Sequence, residues 1–253
     1  MLKILIVFMT LLGFTWAFEV RDLAHAVDVA GKQRMYTQRM LKNYAMIGLQ
    51  NDFANPKENL VFIMNNFEEH LLALMAFNTD EKTKISLEKV FTLWKPIQKS
   101  LKKKPEKKEA GAMQEALEAL LKEANEATFL FAGQTGKSSG EIINISGRQR
   151  MLSQRMASLY MFKVWGIDDP KFKEKMKKAM ALFSESSSTL MLSKMNTPKI
   201  NKLLKDAKKA FMFFEMMNKS SSKFIPSLIY KKSDEILKDM NTVTGLYVKE
   251  ENK

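Results

Sequence analysis

The sequence predicts an all-α protein: two tandem up-down-up-down four-helix bundles, packed side by side as an intramolecular pseudo-dimer. The chain has 253 residues with 19 Met but only 10 Gly and 6 Pro, a composition that favours helix over sheet. Apolar residues recur at the three- and four-residue spacing of amphipathic helices along most of the chain. A thirteen-residue stretch also occurs twice, 116 residues apart. A chain leaves a four-helix bundle at the end where it entered, so a short linker can set two bundles beside each other.

The repeated stretch covers residues 28–40 and residues 144–156. Gly, Gln, Arg, Met, Gln, Arg and Met occupy the same seven positions in both copies. Asn125 and Asn241 also align at the same separation. Such agreement indicates an internal duplication that reaches from the first helix of each half to the last.

Residues 1–17 are predicted to be a signal peptide, because a charged Lys3 precedes an apolar run and then the small-residue site Thr15-Trp16-Ala17. The run is short for a membrane span, which needs about 20 apolar residues. An uncleaved N-terminal anchor is the alternative. We expect a mature chain from about Phe18, exported to a bacterial periplasm. The formal charge of +13 favours acidic partners, but export argues against nucleic acid.

The first bundle is predicted at residues 18–133. Its helices are expected at residues 19–49, at residues 56–77 after Asn55, in a stretch capped by Asp80 and kinked or ended by Pro96, and around residues 117–131.

Residues 134–140, rich in Gly and Ser, are predicted to link the bundles. They lack the full P-loop pattern and a preceding strand, so a phosphate-binding loop is disfavoured. The second bundle, residues 141–253, repeats the first. Its motif helix is followed by helices expected to open at Asp169-Pro170, at Pro198 and near Pro226.

At about 100° per residue, Gly31, Arg34 and Gln38 fall on one stripe of the first motif helix. Gly147, Arg150 and Gln154 form the same stripe in the second half. A helical glycine permits close approach of another helix, so each arginine is expected beside a helix contact. Arg39 and Arg155 lie off the stripe and are interpreted as supporting ion pairs or packing residues.

The segments from each motif onwards carry no acid: residues 29–50 and residues 142–167 contain no Asp or Glu. If the helices face each other, Arg34 and Arg150 converge, and two cations about 6 Å apart repel by roughly 3 kcal/mol at an effective dielectric constant near 20. A small planar oxyanion would relieve this repulsion. The alternative is that acids of other helices neutralise the arginines, such as Glu68, Glu69 or Glu185.

In the second copy, residues 147–156 together with the preceding residues 144–146 resemble the signature of the PilJ-type sensor domain. That domain is the N-terminal module of type IV pilus-associated methyl-accepting chemotaxis transducers and is related to the sensor modules of nitrate- and nitrite-responsive histidine kinases. In those kinases, the anion sits at a dimer interface, held by the motif arginine of each subunit and by backbone near the motif glycine. The resemblance implies an anion site at Gly31, Arg34, Gly147 and Arg150. The motif itself adds Gln38, Gln154, Arg39 and Arg155 as candidate supporting residues.

The first copy departs from the signature at Lys32 and Tyr36, and it has Asp28 where the second copy has Asn144. Asp28, within two helical turns of Arg34, would either disfavour an anion there or form an ion pair with Lys32, four residues later on the same helix. An asymmetric site, or an anion other than nitrate, therefore stays open.

The predicted function is that of an exported sensor-type protein that binds a small anion such as nitrate or nitrite. It would lack a transducer module of its own and would work with a membrane chemoreceptor or sensor kinase. The alternative is a periplasmic helical scaffold that docks on a chemoreceptor, kinase or pilus component. No catalytic residue, metal site or cofactor is predicted: the chain has no cysteine, and His25 and His70 lie in no metal or nucleophile motif.

Overall fold

The computed structural model describes residues 18–136, 138–167, 169–219 and 225–251, and the predicted signal peptide lies outside them. Within these residues the regular elements are helices, with no strand. They are α1 (Leu23–Gly48), α2 (Pro56–Phe77), α3 (Glu81–Leu101), a short 3-10 helix (Lys107–Glu109), α4 (Ala110–Gln134), α5 (Ser138–Val164), α6 (Lys171–Met191), α7 (Pro198–Lys219) and α8 (Pro226–Glu251).

The helices form two groups of four. In the first half, α1 packs against α2 and α4, and α3 packs against α4 and α2. The second half repeats this with α5 against α6 and α8, and α7 against α8 and α6. The most extensive contact between any two helices is that of α1 with α5, which joins the halves. The predicted all-α bundle class is confirmed, while the pseudo-dimer arrangement stays a prediction.

Helix α2 shows how the apolar pattern builds each bundle. Its buried Leu60, Ile63, Phe67, Leu71 and Leu74 follow one another at three- or four-residue steps, so they form one stripe. Among the described helices, α2 is also the one long and apolar enough to cross a membrane by length and composition. The buried stripe is what a core helix of a bundle requires.

Most helix ends agree with the sequence; the exceptions are Asn55, Pro96 and the start of α1, which begins at Leu23 and not at residue 19. Asp80 caps α3 as expected, since its Oδ2 accepts a hydrogen bond from the backbone of Thr83 at 2.8 Å. Helix α2 begins at Pro56, but the Asn55 side chain makes no cap hydrogen bond. Helix α3 does not end at Pro96 and continues to Leu101. Pro96 is exposed, so water can take the place of its missing backbone donor.

The predicted linker lies where α4 gives way to α5. Helix α4 ends at Gln134 and α5 begins at Ser138, so the last three residues of the predicted linker belong to α5. Gly136 has a φ of 62°, a left-handed conformation that glycine adopts without strain. Lys137 lies outside the described residues, and the domain boundaries stay predictions.

Candidate functional site

Two glycines meet where α1 contacts α5. A methyl group built on Gly31 would lie 3.9 Å from the Cα atom of Gly147. The same methyl group would lie 3.1 Å from Nη2 of Arg150 and 3.4 Å from Nη2 of Arg34, and one on Gly147 would lie 3.0 and 3.4 Å from these atoms. The structure therefore brings together Gly31, Arg34, Gly147 and Arg150, with both guanidinium groups at the glycine contact.

Arg34 is completely buried and hydrogen-bonds only to neutral groups. Its Nη1 donates to Oδ1 of Asn125 at 2.9 Å, and its Nη2 donates to the backbone oxygen of Asn144 at 3.2 Å. Its Nε is buried and has no hydrogen-bond partner. No carboxylate of the described residues forms an ion pair with this guanidinium.

Arg150 is equally buried but has a carboxylate partner. Its Nη1 donates to Oδ1 of Asp28 at 2.6 Å and to Oδ1 of Asn241 at 3.2 Å, and its Nη2 donates to the backbone oxygen of Asp28 at 3.1 Å. Asp28 also forms the expected ion pair with Lys32, at 3.0 Å. The carboxylate that reaches Arg150 therefore comes from the other half of the chain.

The contacts of the two arginines correspond one to one, apart from this carboxylate. Asn125 and Asn241 hold the two Nη1 atoms, and the backbone oxygens of Asn144 and Asp28 hold the two Nη2 atoms. Asn144 stands at the position equivalent to Asp28, and its Oδ1 is buried without a hydrogen-bond partner. The two halves of the site differ by one negative charge.

The pKa shifts show where positive charge is in excess. Burial, and then the neighbouring charges of Arg148 and Arg150, lower the pKa of Arg34 to about 9, although a guanidinium stays charged at neutral pH. Burial alone would raise the pKa of Asp28, but Arg150 and Lys32 outweigh it and the pKa falls to about 2. Near neutral pH, Asp28 is ionised beside Arg150, and Arg34 remains a buried cation among cations.

The side-chain hydrogen bonds and ion pairs of the four predicted supporting residues, within the described part of the chain, are with groups other than the two glycines and their arginines. Oε1 of Gln38 accepts a hydrogen bond from Ser158 at 3.3 Å, which links α1 to α5. Nε2 of Gln154 donates to the backbone oxygen of Ser233 at 2.9 Å, which links α5 to α8. Two arginines complete the set: Arg155 pairs with Glu118 at 2.8 Å, and Nε of Arg39 is buried without a hydrogen-bond partner.

The acids considered as partners of the arginines do not fill that role in the described part of the chain. Glu68 instead accepts hydrogen bonds from Lys95 at 3.2 Å and from Gln98 at 2.6 Å. Sequence reasoning assigned Asp28 to Lys32 and missed its bond to Arg150, because that bond depends on how the two halves meet. It also gave no role to Asn125 and its counterpart, although they repeat at the same spacing as the arginines.

A third buried cation, Lys42, connects α1 to α8. Its Nζ donates to Oδ1 of Asp234 at 2.7 Å and to Oγ of Ser233 at 3.1 Å, and it lies 3.7 Å from the ring centroid of Tyr230. Burial lowers the pKa of Lys42 to about 8, and Asp234 opposes the shift. Sequence reasoning missed this residue; the equivalent position in the second half is Ser158.

Comparisons with curated proteins and with solved structures gave no match. A protein-family model did match, namely PilJ, described as the type IV pili methyl-accepting chemotaxis transducer N-term. It matches residues 17–126 and 133–207, which together are more than half of the chain. The two segments begin 116 residues apart, the same separation as the two motif copies. The chain therefore belongs to the PilJ family of helical sensor-type domains.

Proposed function

We propose that this protein is an exported sensor-type protein that binds one small anion, of the size and charge of nitrate or nitrite, at the α1–α5 contact. Gly31 and Gly147 allow the helices to approach, and Arg34 and Arg150 supply the positive charge. The protein would act by binding and not by catalysis, in partnership with a membrane chemoreceptor or sensor kinase. Membership of the PilJ family supports a role in signal transduction.

The observation that carries the proposal is the state of Arg34. A buried cation is costly unless an anion or a full set of acceptors satisfies it. Arg34 is fully buried and, unlike Arg150, forms no ion pair with a carboxylate of the described residues. Its Nε, like that of Arg150, has no hydrogen-bond partner, and the charges that affect its pKa most belong to Arg148 and Arg150. An anion bound to Arg34 would offset this cost.

The chemistry of a guanidinium suits a small planar oxyanion. Its Nε and Nη donors lie in one plane and can bind two oxygens in parallel. Each charge-assisted hydrogen bond contributes about 1.5–3 kcal/mol net. Two or three such bonds correspond to affinities on the order of millimolar to micromolar, which suits a sensor.

Burial of the site also offers a way to transmit a signal. Because both guanidinium groups are completely buried, an anion would reach them only if α1 and α5 shift relative to each other. A ligand that binds one arrangement of the helices better than another shifts the population towards it. Binding would therefore change how the two halves are set against each other, and a partner protein would detect that change.

The second candidate function is a scaffold that docks on a chemoreceptor, kinase or pilus component. It is favoured by apolar side chains on the outer surface of α2, where Val61 and Phe62 are each 58% exposed and Leu72 is 51% exposed. Exposed apolar patches often mark interaction sites. The two functions differ in their need for an anion, which makes an anion titration the discriminating experiment.

The test is a calorimetric titration of the purified protein with nitrate, nitrite and chloride, in a buffer whose own anion is too large to enter. The variants are Arg34→Met and, as a matched control, Arg155→Met, which changes a motif arginine that already has Glu118 as its partner. We expect about one anion per chain, with binding lost in Arg34→Met and kept in Arg155→Met. A folded wild-type protein that binds none of these anions would overturn the sensor proposal and favour the scaffold.

A further inference from the structure

The difference between Asp28 and Asn144 sets the charge of the ligand. We propose that Asp28 is a built-in counter-ion of Arg150, and that it occupies there the position that an external anion occupies at Arg34. The site therefore accepts a single monovalent anion, on the Arg34 side. This inference rests on the proposed function and deepens it, since it names the residue that determines specificity. On this proposal only one of the two motif arginines binds the external anion, although the motif is duplicated.

The equivalence of the two surroundings supports this role. Each arginine donates from Nη1 to an asparagine of the last helix of its half and from Nη2 to a backbone oxygen of the opposite motif helix. On Arg150 the remaining capacity of Nη1 is taken by Oδ1 of Asp28 at 2.6 Å. Among the described residues, no carboxylate takes the corresponding position on Nη1 of Arg34, whereas the Nε atoms of both arginines are buried without a hydrogen-bond partner.

Asn144 occupies the position from which a second carboxylate would reach Arg34 if the two halves were identical. It occupies the position equivalent to Asp28, is buried, and has an Oδ1 without a partner. An amide carries both donors and an acceptor and can turn to donate to an anion, whereas a carboxylate near neutral pH can only accept. The second half therefore has a side chain that tolerates an anion where the first half has one that repels it.

The charge balance then predicts selectivity. Arg34 and Arg150 supply two buried positive charges, and Asp28, whose carboxyl is bonded to Arg150, supplies one negative charge. One monovalent anion brings these three buried groups to neutrality, whereas a divalent anion would leave a negative charge that only the partly exposed Lys32 and Arg148 could offset, and it would be costlier to desolvate. Nitrate, nitrite and similar monovalent anions should bind, and sulfate should not.

The experiment uses the reciprocal exchange Asp28→Asn and Asn144→Asp, each of which copies the residue of the other half. Thermal unfolding and calorimetric titration are measured without small anions, then with nitrate, then with sulfate. Lys32→Gln is the control, because it removes the other partner of Asp28 without touching Arg150.

We expect Asp28→Asn to melt at a lower temperature than the wild type without small anions and to regain the loss saturably with nitrate. Its nitrate affinity should rise by at least about tenfold, because one nearby negative charge has gone, and it should gain sulfate binding. Asn144→Asp should lose the response to nitrate. Lys32→Gln should keep the wild-type preference for nitrate over sulfate.

The two proposals fail in different ways. If the wild type binds nitrate and Asp28→Asn binds nitrate and sulfate as the wild type does, the counter-ion inference is overturned and the proposed function stands. A loss of stability in Asp28→Asn that no anion restores also overturns the inference, because Asp28 would then be a structural ion pair only. If the wild type binds none of the anions, the proposed function fails, and the claim that Arg34 takes an external anion fails with it even if nitrate restores Asp28→Asn.

Discussion

The two halves of the molecule share a hydrogen-bonded framework and differ in the charges placed on it. In the first half, Nε2 of Gln33 donates to the backbone oxygen of Phe67 at 3.2 Å, and in the second, Nε2 of Gln149 donates to that of Phe183 at 2.9 Å. Each of these pairs is separated by the same 116 residues. The duplication has kept the contacts that hold the motif helix to its neighbour.

Three of the differences lie at buried positions where one half has a group that titrates or carries charge. Asp28 replaces Asn144, buried Lys42 stands where the second half has Ser158, and His70 stands where it has Ser186. All three charged or titratable groups belong to the first half. Because Asp28 pairs with Arg150 while Arg34 has an asparagine at the equivalent position, the surroundings of the two motif arginines differ in charge.

The largest predicted effect concerns the feature that both halves share, the glycine contact. Gly147→Leu would bring atoms against Nη2 of Arg150, which lies 3.0 Å from a built Cβ, and against α1. We expect the free energy of unfolding to fall by at least about 3 kcal/mol, the upper part of the range for overpacking, as measured by urea denaturation. Gly31→Leu should cost about the same if the contact is symmetric.

Gly245→Leu is the control for this substitution, since a Cβ at Gly245 meets nothing within 4 Å and the helix gains from losing a glycine. A Gly147→Leu variant as stable as the wild type would contradict the close approach of α1 and α5.

The next effect concerns Lys42, which has no charged counterpart. The pKa of Lys42 is lowered to about 8 from the 10.5 of an ordinary lysine, so between these pH values the unfolded chain holds a proton that the folded chain lacks. Stability should therefore rise with pH by about 2 kcal/mol between pH 8 and pH 10. Lys42→Met should remove this rise in urea denaturation across the pH range.

Ser158→Ala serves as the control at the equivalent position, and it should leave the pH dependence unchanged. A rise of the same size in Lys42→Met would show that another group causes it.

The smallest effect concerns His70, whose ring stacks on Phe18 with centroids 4.1 Å apart. Burial, and then Lys32, lower the pKa of His70 to about 4 from 6.5. As the pH falls from 6 to 5, the unfolded chain gains a proton that the folded chain does not, so stability should fall by about 1 kcal/mol over that pH unit. His70→Gln should flatten this dependence in thermal unfolding.

His25 is the comparison for this variant, because burial lowers its pKa too. His25→Gln should remove a separate part of the same acid loss. A His70→Gln variant with the full wild-type loss below pH 6.5 would contradict the assignment.

The sequence was sufficient for the helical class because apolar spacing is a local property of each helix. The start of α2 at Pro56 and the cap of α3 at Asp80 depend on adjacent residues and were predicted. The convergence of Arg34 and Arg150 followed from a glycine that precedes each by three residues.

The partners of the charged groups depend on contacts between distant parts of the chain. Asp28 reaches Arg150 across 122 residues and Lys42 reaches Asp234 across 192 residues. No helical periodicity encodes which residue of one half faces which residue of the other. Pro96 is a local example: whether it ends helix α3 depends on whether water or protein contacts that turn of the helix, which the adjacent sequence does not determine.

Crystals of the protein grown with bromide in place of other small anions would test the central claim most directly, since bromide can be located by its anomalous scattering. The account predicts one bromide within hydrogen-bond distance of the Arg34 guanidinium, with Asp28 still bonded to Arg150. Well-ordered crystals with no bromide near Arg34, or with bromide on Arg150 in place of Asp28, would contradict it.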